Sequence, residues 1–529
     1  MLRHLLRTVN LFDTAKSVLF LCFLAACHRQ TGGADQARGL VYYETYDPRS
    51  LDPALSTDVP TGEMVTLLFD GLTRFDPDGG LLPGLSDRWT TDRKGQRYVF
   101  HLRPGVSFHD GRPLVAGDVE RSLVRVLNPA THGGRVWPLL PIAGAGDFAD
   151  GRARDVRGIE VIGDTAIAFT LTEPLAIFPK FLAMPVASVV PSSVTPDFGQ
   201  RPVGTGPWRF VAWEHDDYLR FARNPNYWGG APLSESLTVR IIPEALTRAA
   251  EFLSGRISVV EVPFGETKKW EQEHPDWLKR KPALRPIYVP LNNRRGPLRD
   301  ARVRQAINHA VNVPEILRTV WNGRGALAAG SIPPTLGGSD RARRRYSYDT
   351  TEARRLLRAA GYPNGFSLQL WRSGTNVEMG RVAQAIQSQL AVLGIQVEIV
   401  SRDASSMREA VRKGDTDMAI TDWWADYPDA DNFLYPLFHS ASVGPGGNYA
   451  FYSDRVTDSL IMVARRTVDQ SAREALYARI DQRVFDAAPW LYLWFAVDLW
   501  AEHPSVDGWD ISVIFNGQRW TKVRVTAGR

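Results

Sequence analysis

A run of carboxylate and aromatic side chains between residues 422 and 431 is the part of the sequence best suited to chemistry. It carries four aspartates and three aromatic residues, namely Asp422, Trp423, Trp424, Asp426, Tyr427, Asp429 and Asp431. Carboxylates at this density could hold Ca²⁺, but the run lacks the glycine and the bidentate glutamate of an EF-hand loop. A glycosidase would need a second carboxylate across a cleft, which a sequence does not place. Aromatic faces between carboxylates suit a cationic, amphipathic ligand. The structural alternative is a loop whose acids cap helices and turns.

The motifs of the common enzyme classes are absent from the sequence. It has no Gly-x-Ser-x-Gly elbow, no His-Glu-x-x-His, no Walker loop and no Rossmann glycine fingerprint. The ten histidines are scattered singly, and the two cysteines, Cys22 and Cys27, both lie near the N-terminus. That placement excludes zinc ribbons, iron–sulfur clusters and thiol catalysis in the rest of the chain. We therefore expect no enzyme, no cofactor and no metal site.

The N-terminal segment is typical of a secretory signal peptide. Arg3, Arg7 and Lys16 precede an apolar run over residues 18–26 that ends at Cys27. Nine apolar residues are too few to span a bilayer as a helix. The ending Leu-Ala-Ala-Cys resembles the bacterial lipobox, in which the cysteine is lipidated after cleavage, and an ordinary signal peptide with a chance cysteine is the alternative. We predict a signal peptide over residues 1–26, lipidation at Cys27 and a tether over residues 27–39.

The composition is that of a globular protein with a large core. The chain has 529 residues, 44% of them apolar and 23% charged, with a formal net charge of +5 spread along its length. That length suggests about three structural units. A small, dispersed charge argues against nucleic acid as a partner. The sixteen tryptophans exceed what a core needs and hint at aromatic ligand walls.

Hydrophobic periodicity predicts an α/β chain whose elements would position these residues. Residues 382–393 repeat with helical spacing, stop at Gly394 and pass into a strand over residues 395–399. Residues 159–162 and 166–171 read as strands of a hairpin turning at Gly163 and Asp164. Helix starts are predicted at Asp118, Asp300 and Asp349, and a first strand over residues 40–43.

Several blocks of the sequence resemble the solute-binding proteins of family 5, the oligopeptide-, dipeptide- and nickel-binding subunits of ABC importers. The blocks occur in the family's order, between about residue 40 and residue 495. They comprise residues 69–76, 83–89, 100–122, 204–208, 224–228, 302–307, 361–362, 394–397 and 423–433.

This resemblance implies a type II periplasmic-binding fold with two α/β lobes joined by two hinge strands. It implies that lobe I comprises residues 40–291 and 497–529, with an extra subdomain inserted at about 55–190. Lobe II would comprise residues 292–496. The hinges are expected near residues 287–290 and 494–496.

The implied function is capture of a solute between the lobes and its delivery to the permease subunits of an ABC importer. The ligand expected first is a peptide; a metal chelate, a sugar or an opine is the alternative, as is a role beside a chemoreceptor or as a chaperone. An extracytoplasmic hydrolase is a more distant alternative. The protein is expected to be a monomer in the periplasm or at the cell surface, anchored to the membrane through Cys27.

The resemblance also implies ligand-binding residues. Asp426 matches the aspartate that binds the ligand's α-ammonium in the family's peptide binders, with capping of a turn as the structural alternative. Arg372, expected on a loop between a strand and a helix, is a candidate for the ligand's carboxylate because arginine binds carboxylates bidentately; a solvated loop arginine is the alternative. Trp423, Trp424 and Tyr427 are expected to form the aromatic walls, with the bulk of Trp424 shortening the pocket.

Overall fold

The structure of the protein is a computed structural model that describes residues 39–374 and 376–526. Its strands are β1 (Leu40–Glu44), β2 (Thr73–Phe75), β3 (Leu81–Pro83), β4 (Ser86–Thr91), β5 (Arg97–Leu102), β6 (Ile159–Ile162), β7 (Ala166–Thr170), β8 (Trp208–Glu214), β9 (Tyr218–Arg223), β10 (Ser236–Ile241), β11 (Val259–Glu261), β12 (Leu278–Pro290), β13 (Gly325–Leu327), β14 (Ser367–Ser373), β15 (Gln396–Arg402), β16 (Met418–Ala419), β17 (Thr421–Asp422), β18 (Trp490–Glu502), β19 (Val506–Asp507) and β20 (Arg524–Val525).

The α-helices alternate with these strands along the chain. They are α1 (Val59–Leu68), α2 (Ala116–Leu127), α3 (Ala145–Ala149), α4 (Phe178–Phe181), α5 (Ala245–Leu253), α6 (Thr267–Glu273), α7 (Ala301–Ala310), α8 (Val313–Thr319), α9 (Thr350–Ala359), α10 (Val377–Ala391), α11 (Ala404–Lys413), α12 (Asp431–Phe438), α13 (Arg455–Arg466) and α14 (Gln470–Ala487). In the part of the chain that the structure describes, no helix combines the length and apolar character needed to cross a membrane. The predicted signal peptide, Cys27 and nearly all of the tether lie outside the described residues.

Lobe I is built on a four-stranded sheet in the order β1-β10-β9-β8, in which β1 pairs parallel to β10. The predicted first strand is present as β1, with Leu40, Tyr43 and Glu44 buried and the two residues between them half-buried. The inserted subdomain carries a separate antiparallel sheet in the order β4-β5-β7-β6. The predicted hairpin of β6 and β7 is present, and Ile162 lies opposite Ala166 in it.

Lobe II contains a parallel sheet in the order β15-β14-β16, covered by helices such as α10. The predicted unit of helix, glycine and strand is confirmed: α10 is followed by Gly394 at φ +78° and then by β15. Asp349 caps α9 as predicted, by accepting hydrogen bonds from the backbone N–H of Thr351 and Glu352. The predicted helix start at Asp118 is wrong by two residues, because α2 begins at Ala116. The buried carboxylate of Asp118 instead accepts a hydrogen bond from the N–H of Val115 and pairs with Arg121.

The two longest strands, β12 and β18, pair antiparallel and run between the lobes. At the lobe I end, β18 pairs antiparallel with β11; at the lobe II end, β18 pairs with β13 and β12 pairs with β17. The pairing is interrupted in the middle: Pro282 lies opposite Val497 and Pro286 opposite Phe495, so three residues of β12 face one residue of β18. This bulge consists of Ala283, Leu284 and Arg285. The lobe boundaries and the limits of the inserted subdomain given above stay predictions.

Candidate functional site

A cavity of about 230 Å³ lies between the lobes, at the bulge of β12. Ala283, Leu284 and Arg285 line it together with residues of β18, and lobe I closes it through β1, α1 and the segment after β19. Lobe II contributes Trp424 and Ala425. Ligand pockets in proteins commonly measure about 300 to 1,000 Å³, so this cavity suits a small solute.

Aromatic side chains form much of the cavity wall. Tyr42 and Tyr43 stack on Trp500, with ring centroids 6.1 and 5.8 Å away, and Trp500 lies 5.4 Å from the ring of Trp509. Trp424 faces them from lobe II and is 52% exposed. The hint of aromatic ligand walls in the tryptophan count therefore has a structural counterpart, supplied mainly by residues that the sequence did not single out.

Arg285 is the cation in the cavity lining, and no motif in the sequence pointed to it. Its guanidinium lies 4.4 Å from the ring centre of Trp424 and 3.4 Å from Oδ1 of Asp498. Burial raises the pKa of the Asp498 carboxyl, while the charge of Arg285 opposes that rise. The Nε of Arg285 is buried and has no hydrogen-bond partner within the described residues. An N–H group of this kind can donate to an anionic part of a ligand.

Asp426 directly follows the two lobe II residues of the lining, and its carboxylate is bound by an arginine of the inserted subdomain. Nη1 of Arg135 lies 2.7 Å from Oδ1 of Asp426, and Nη2 of Arg135 donates to the carbonyl of Thr57. The backbone N–H of Asp426 donates to Asn432. Burial raises the pKa of the Asp426 carboxyl, against the opposing charge of Arg135. This ion pair joins lobe II to lobe I beside the cavity.

Trp423 and Tyr427 make their contacts with the protein itself. The indole N–H of Trp423 donates to Oδ1 of Asn432. The hydroxyl of buried Tyr427 donates to Asp431, and its ring lies 5.1 Å from Phe181 of the inserted subdomain. Of the three predicted aromatic residues, Trp424 alone is part of the cavity lining.

The remaining aspartates of the run have structural partners. Asp429 accepts a 2.6 Å hydrogen bond from Lys180 of the inserted subdomain, whose ammonium also donates to the carbonyl of Pro428. Asp431 lies 3.5 Å from Arg465. Residues 426–431 are therefore a docking segment of lobe II against the inserted subdomain. Across residues 39–374 and 376–526, the structure brings together no three His, Cys, Asp or Glu side chains that could hold a metal ion.

Arg372 lies in strand β14 rather than on the loop expected from the sequence, because the strand extends to Ser373. Its Nη1 donates to the carbonyl oxygens of Ser373 and Asn376. The cavity lining does not include this residue. The structure therefore does not bring Arg372 together with Trp424 and Arg285.

Two further acids of the lining, Glu44 and Glu63, escaped the sequence analysis. Glu44 is the last residue of β1 and Glu63 lies in α1, and their carboxyl groups are in hydrogen-bonding contact. Ligands of open α/β sheets bind beyond the carboxyl ends of the strands. An acid at the end of the first predicted strand was thus the available signal for Glu44.

Comparison with known families and proteins gives consistent matches. The profile of the bacterial extracellular solute-binding proteins, family 5 Middle, matches residues 80–445. The glutathione-binding protein GsiB of Pectobacterium atrosepticum is 32% identical over 456 residues, which cover 84% of this chain and 86% of that protein. The dipeptide-binding protein of Escherichia coli is 30% identical over 483 residues, which cover 87% and 89%.

Solved structures match over nearly the whole chain. The periplasmic binding protein DppA of Helicobacter pylori, in complex with the peptide STSA, superposes with a TM-score of 0.75 at 29% identity, covering 93% of this chain and 99% of that one. The murein tripeptide-binding protein MppA in its open form reaches a TM-score of 0.81 at 22% identity, covering 92% and 97%. The predicted fold class, two α/β lobes joined by two strands, is confirmed.

Proposed function

The chain belongs to family 5 of the bacterial extracellular solute-binding proteins, and on that premise we propose that it captures a short peptide between its lobes and delivers it to an ABC importer. The observation that carries the proposal is the small cavity at the bulge of β12, which both lobes line. Members of this family are binding proteins rather than enzymes. Relatives with 29 to 32% identity are named for glutathione, dipeptides or a bound tetrapeptide, all of which are peptides.

Ligand contacts with both lobes explain how capture closes the protein. A ligand shifts a conformational equilibrium by the difference in its affinity for the two states. In the closed arrangement a solute touches Trp424 of lobe II together with Tyr42 and Trp500 on the opposite side. An open arrangement separates these surfaces, so part of the binding free energy depends on closure.

We propose that Asp426 binds the α-ammonium of the peptide. Arg135 binds Oδ1 of this carboxylate, which leaves Oδ2 as the acceptor for the ligand. An ammonium at Oδ2 would give the Asp426 carboxylate a second cation beside Arg135 of lobe I. The half-buried position supports the assignment, because a carboxylate removed from water gains more from a second cation than an exposed one.

We propose that Arg285 binds the carboxylate of the peptide. This residue lies in the lining, and its buried Nε offers an N–H without an acceptor among the described residues. Arg372 stays the second proposal for this role; its Nη1 is used by two backbone carbonyl groups. The bulk of Trp424 beneath Arg285 would limit the length of the peptide.

Location and partners follow from the family and the N-terminal sequence. We place the protein outside the cytoplasm, anchored through a lipidated Cys27, as a monomer that docks on permease subunits. Binding of a metal chelate, a sugar or an opine, a role with a chemoreceptor or as a chaperone, and hydrolase activity remain the alternatives, in that order.

The test is calorimetric titration of the protein after unfolding and refolding to remove any co-purified ligand. Dipeptides, tripeptides and reduced glutathione are titrated separately, and native mass spectrometry identifies what the untreated protein carries. We expect micromolar or tighter binding of at least one of these peptides. A protein that binds none of them, and that carries a non-peptide solute in the mass spectrum, would contradict peptide capture.

A further inference from the structure

Two carboxyl side chains of lobe I face each other in the cavity wall without a cation beside them. Glu44 ends β1 and Glu63 lies one turn inside α1, and both line the cavity. Their carboxyl groups are in hydrogen-bonding contact. Within the described residues, neither forms an ion pair.

The burial of Glu44 makes this arrangement unusual. Glu44 is only 7% exposed, and its Oε1 is buried without a hydrogen-bond partner in the described part of the chain. A buried carboxylate is costly unless a cation or several hydrogen-bond donors face it. The side chain lines the cavity, so a ligand can supply the missing partner.

The other acids of the lining already have cations. Glu261 lies 3.1 Å from Arg324, and Asp498 lies 3.4 Å from Arg285. The uncompensated negative charge of the cavity is therefore located at Glu44 and Glu63. This charge is separate from Asp426, which Arg135 neutralises.

We propose that the Glu44–Glu63 pair binds a cationic nitrogen of the ligand, in first place the ammonium or guanidinium of a basic side chain, so that the protein prefers peptides containing lysine or arginine. The inference rests on the proposed function, since it specifies the ligand of the same cavity. The α-ammonium is the second source of the same chemistry, and the ligands below separate the two.

Binding of a cation at the pair is coupled to the release of a proton. Burial raises the pKa of Glu63 to about 7 and raises that of Glu44 well above its ordinary value, with the neighbouring carboxyl adding to the rise in Glu44. The pair thus holds a proton near neutral pH, and an arriving cation displaces it.

Other charged and titratable groups around the pair include both acids and cations. Asp58 before α1 adds negative charge, and the buried phenols of Tyr42 and Tyr43 stay neutral because their pKa values are raised. The remaining groups around them are Glu261, Asp498, Tyr46, Arg49 near Asp58, Arg248 over the ring of Tyr43, Arg285 and Arg324. None of these cations forms an ion pair with Glu44 or Glu63 in the described structure.

The test compares Glu63→Gln and Glu44→Gln with Glu273→Gln, a matched control at an exposed glutamate outside the cavity lining. Lysyl-alanine and alanyl-lysine are titrated against the same dipeptides with norleucine in place of lysine, each with and without N-acetylation. 1,5-Diaminopentane serves as a cation without a peptide. Circular dichroism and thermal unfolding verify that each variant is folded.

We expect the wild-type protein and Glu273→Gln to bind a lysine dipeptide about ten- to a hundredfold more tightly than its norleucine counterpart. Glu63→Gln should lose most of this preference and keep its affinity for the norleucine peptide. An equal loss for both peptides that disappears on N-acetylation would assign the pair to the α-ammonium instead. Unchanged affinities in Glu63→Gln and Glu44→Gln would overturn the inference.

Proton release gives an independent readout. Titration of the lysine dipeptide at pH 7 in two buffers of different ionisation enthalpy should reveal release of up to one proton, and the affinity should rise between pH 6 and pH 8. Glu63→Gln should remove both effects. If no peptide binds the wild-type protein, the proposed function and the preference for basic peptides both fail; diaminopentane binding that depends on Glu63 would then support the pair as a cation site, and its absence would overturn that as well.

Discussion

The guanidinium of Arg135 in the inserted subdomain lies 2.7 Å from the carboxylate of Asp426 in lobe II, 291 residues further along the chain. Both side chains are about one-quarter exposed. The pair therefore connects the two sides of the cleft directly beside the cavity, and it occupies one oxygen of the carboxylate proposed to bind the ligand.

Arg135→Ala is expected to shift the protein without ligand toward an open arrangement. Removing the arginine leaves Asp426 half-buried without its cation, a cost that separation of the lobes relieves. Small-angle X-ray scattering should give a larger radius of gyration. Arg152→Ala removes an equal charge from exposed ion pairs with Asp147 and Asp150 inside the subdomain, and should leave the radius unchanged. Equal radii for both variants would contradict the prediction.

Asp426→Asn is expected to weaken binding of a peptide with a free α-amine about ten- to a hundredfold. A hydrogen bond to a charged group contributes about 1.5 to 3 kcal/mol, which corresponds to that range. Calorimetry with the free and the N-acetylated peptide gives the comparison, and the acetylated peptide should bind both proteins equally weakly. Wild-type affinity in the variant, with a lowered unfolding temperature, would instead assign Asp426 a structural role.

Arg285→Lys is expected to weaken binding of a peptide with a free C-terminus by more than it weakens binding of the corresponding amide. Lysine keeps the positive charge but cannot form the two parallel hydrogen bonds of a guanidinium with a carboxylate. The same substitution at Arg372 provides the comparison. A selective loss for Arg372→Lys, with Arg285→Lys unchanged, would move the carboxylate site to β14.

Cys27→Ser is expected to release the protein from the membrane fraction into the soluble extracytoplasmic fraction, because the variant lacks the thiol that accepts the lipid. Two acyl chains anchor stably where one does not. Fractionation followed by immunoblotting is the measurement. A protein that stays in the membrane fraction after this substitution is held there by something other than a thioether-linked lipid.

His109 is expected to make stability depend on pH between about 6.5 and 4. Its Nδ1 accepts a hydrogen bond from the N–H of Gly204 and its Nε2 contacts the carbonyl of Gly206, an arrangement that requires the neutral ring. Burial lowers the pKa of His109 to about 4. As pH falls below 6.5 the unfolded chain binds the proton first, so the free energy of unfolding should drop by up to about 3 kcal/mol.

Denaturant titrations of the wild type and His109→Gln at pH 7.5, 5.5 and 4.5 measure this effect. The variant loses part of the interaction at every pH, but its stability should change less across the acidic range. Parallel pH profiles for the two proteins would show that His109 is not the group responsible.

Local patterns in the sequence predicted local structure well. Gly163 and Asp164 specify the turn between β6 and β7, Asp349 caps its helix, and Gly394 ends α10 where a positive φ is required. Each of these features depends on residues within a few positions of one another. The end of β14 was misjudged because pairing with β15 continues the strand through Arg372 and Ser373.

The site was less accessible to sequence reasoning. Trp424 was identified because its motif is local, whereas Arg135, Arg285 and Glu63 reach the cavity region from elements far apart in sequence. Their chemistry depends on neighbours: Arg285 would read as an ordinary strand cation without the cavity that it lines. Tyr427 shows the opposite case, since an aromatic residue beside predicted ligand contacts packs on Phe181 instead.

The three residues of the β12 bulge have two structural roles. Ala283, Leu284 and Arg285 both interrupt the pairing of the strands that join the lobes and form part of the cavity lining. The apparent dissociation constant equals the intrinsic constant divided by the fraction of binding-competent protein. A substitution at any of the three changes both the intrinsic dissociation constant and the fraction of binding-competent protein. Natural variation at these positions therefore alters ligand preference only together with the equilibrium between open and closed lobes.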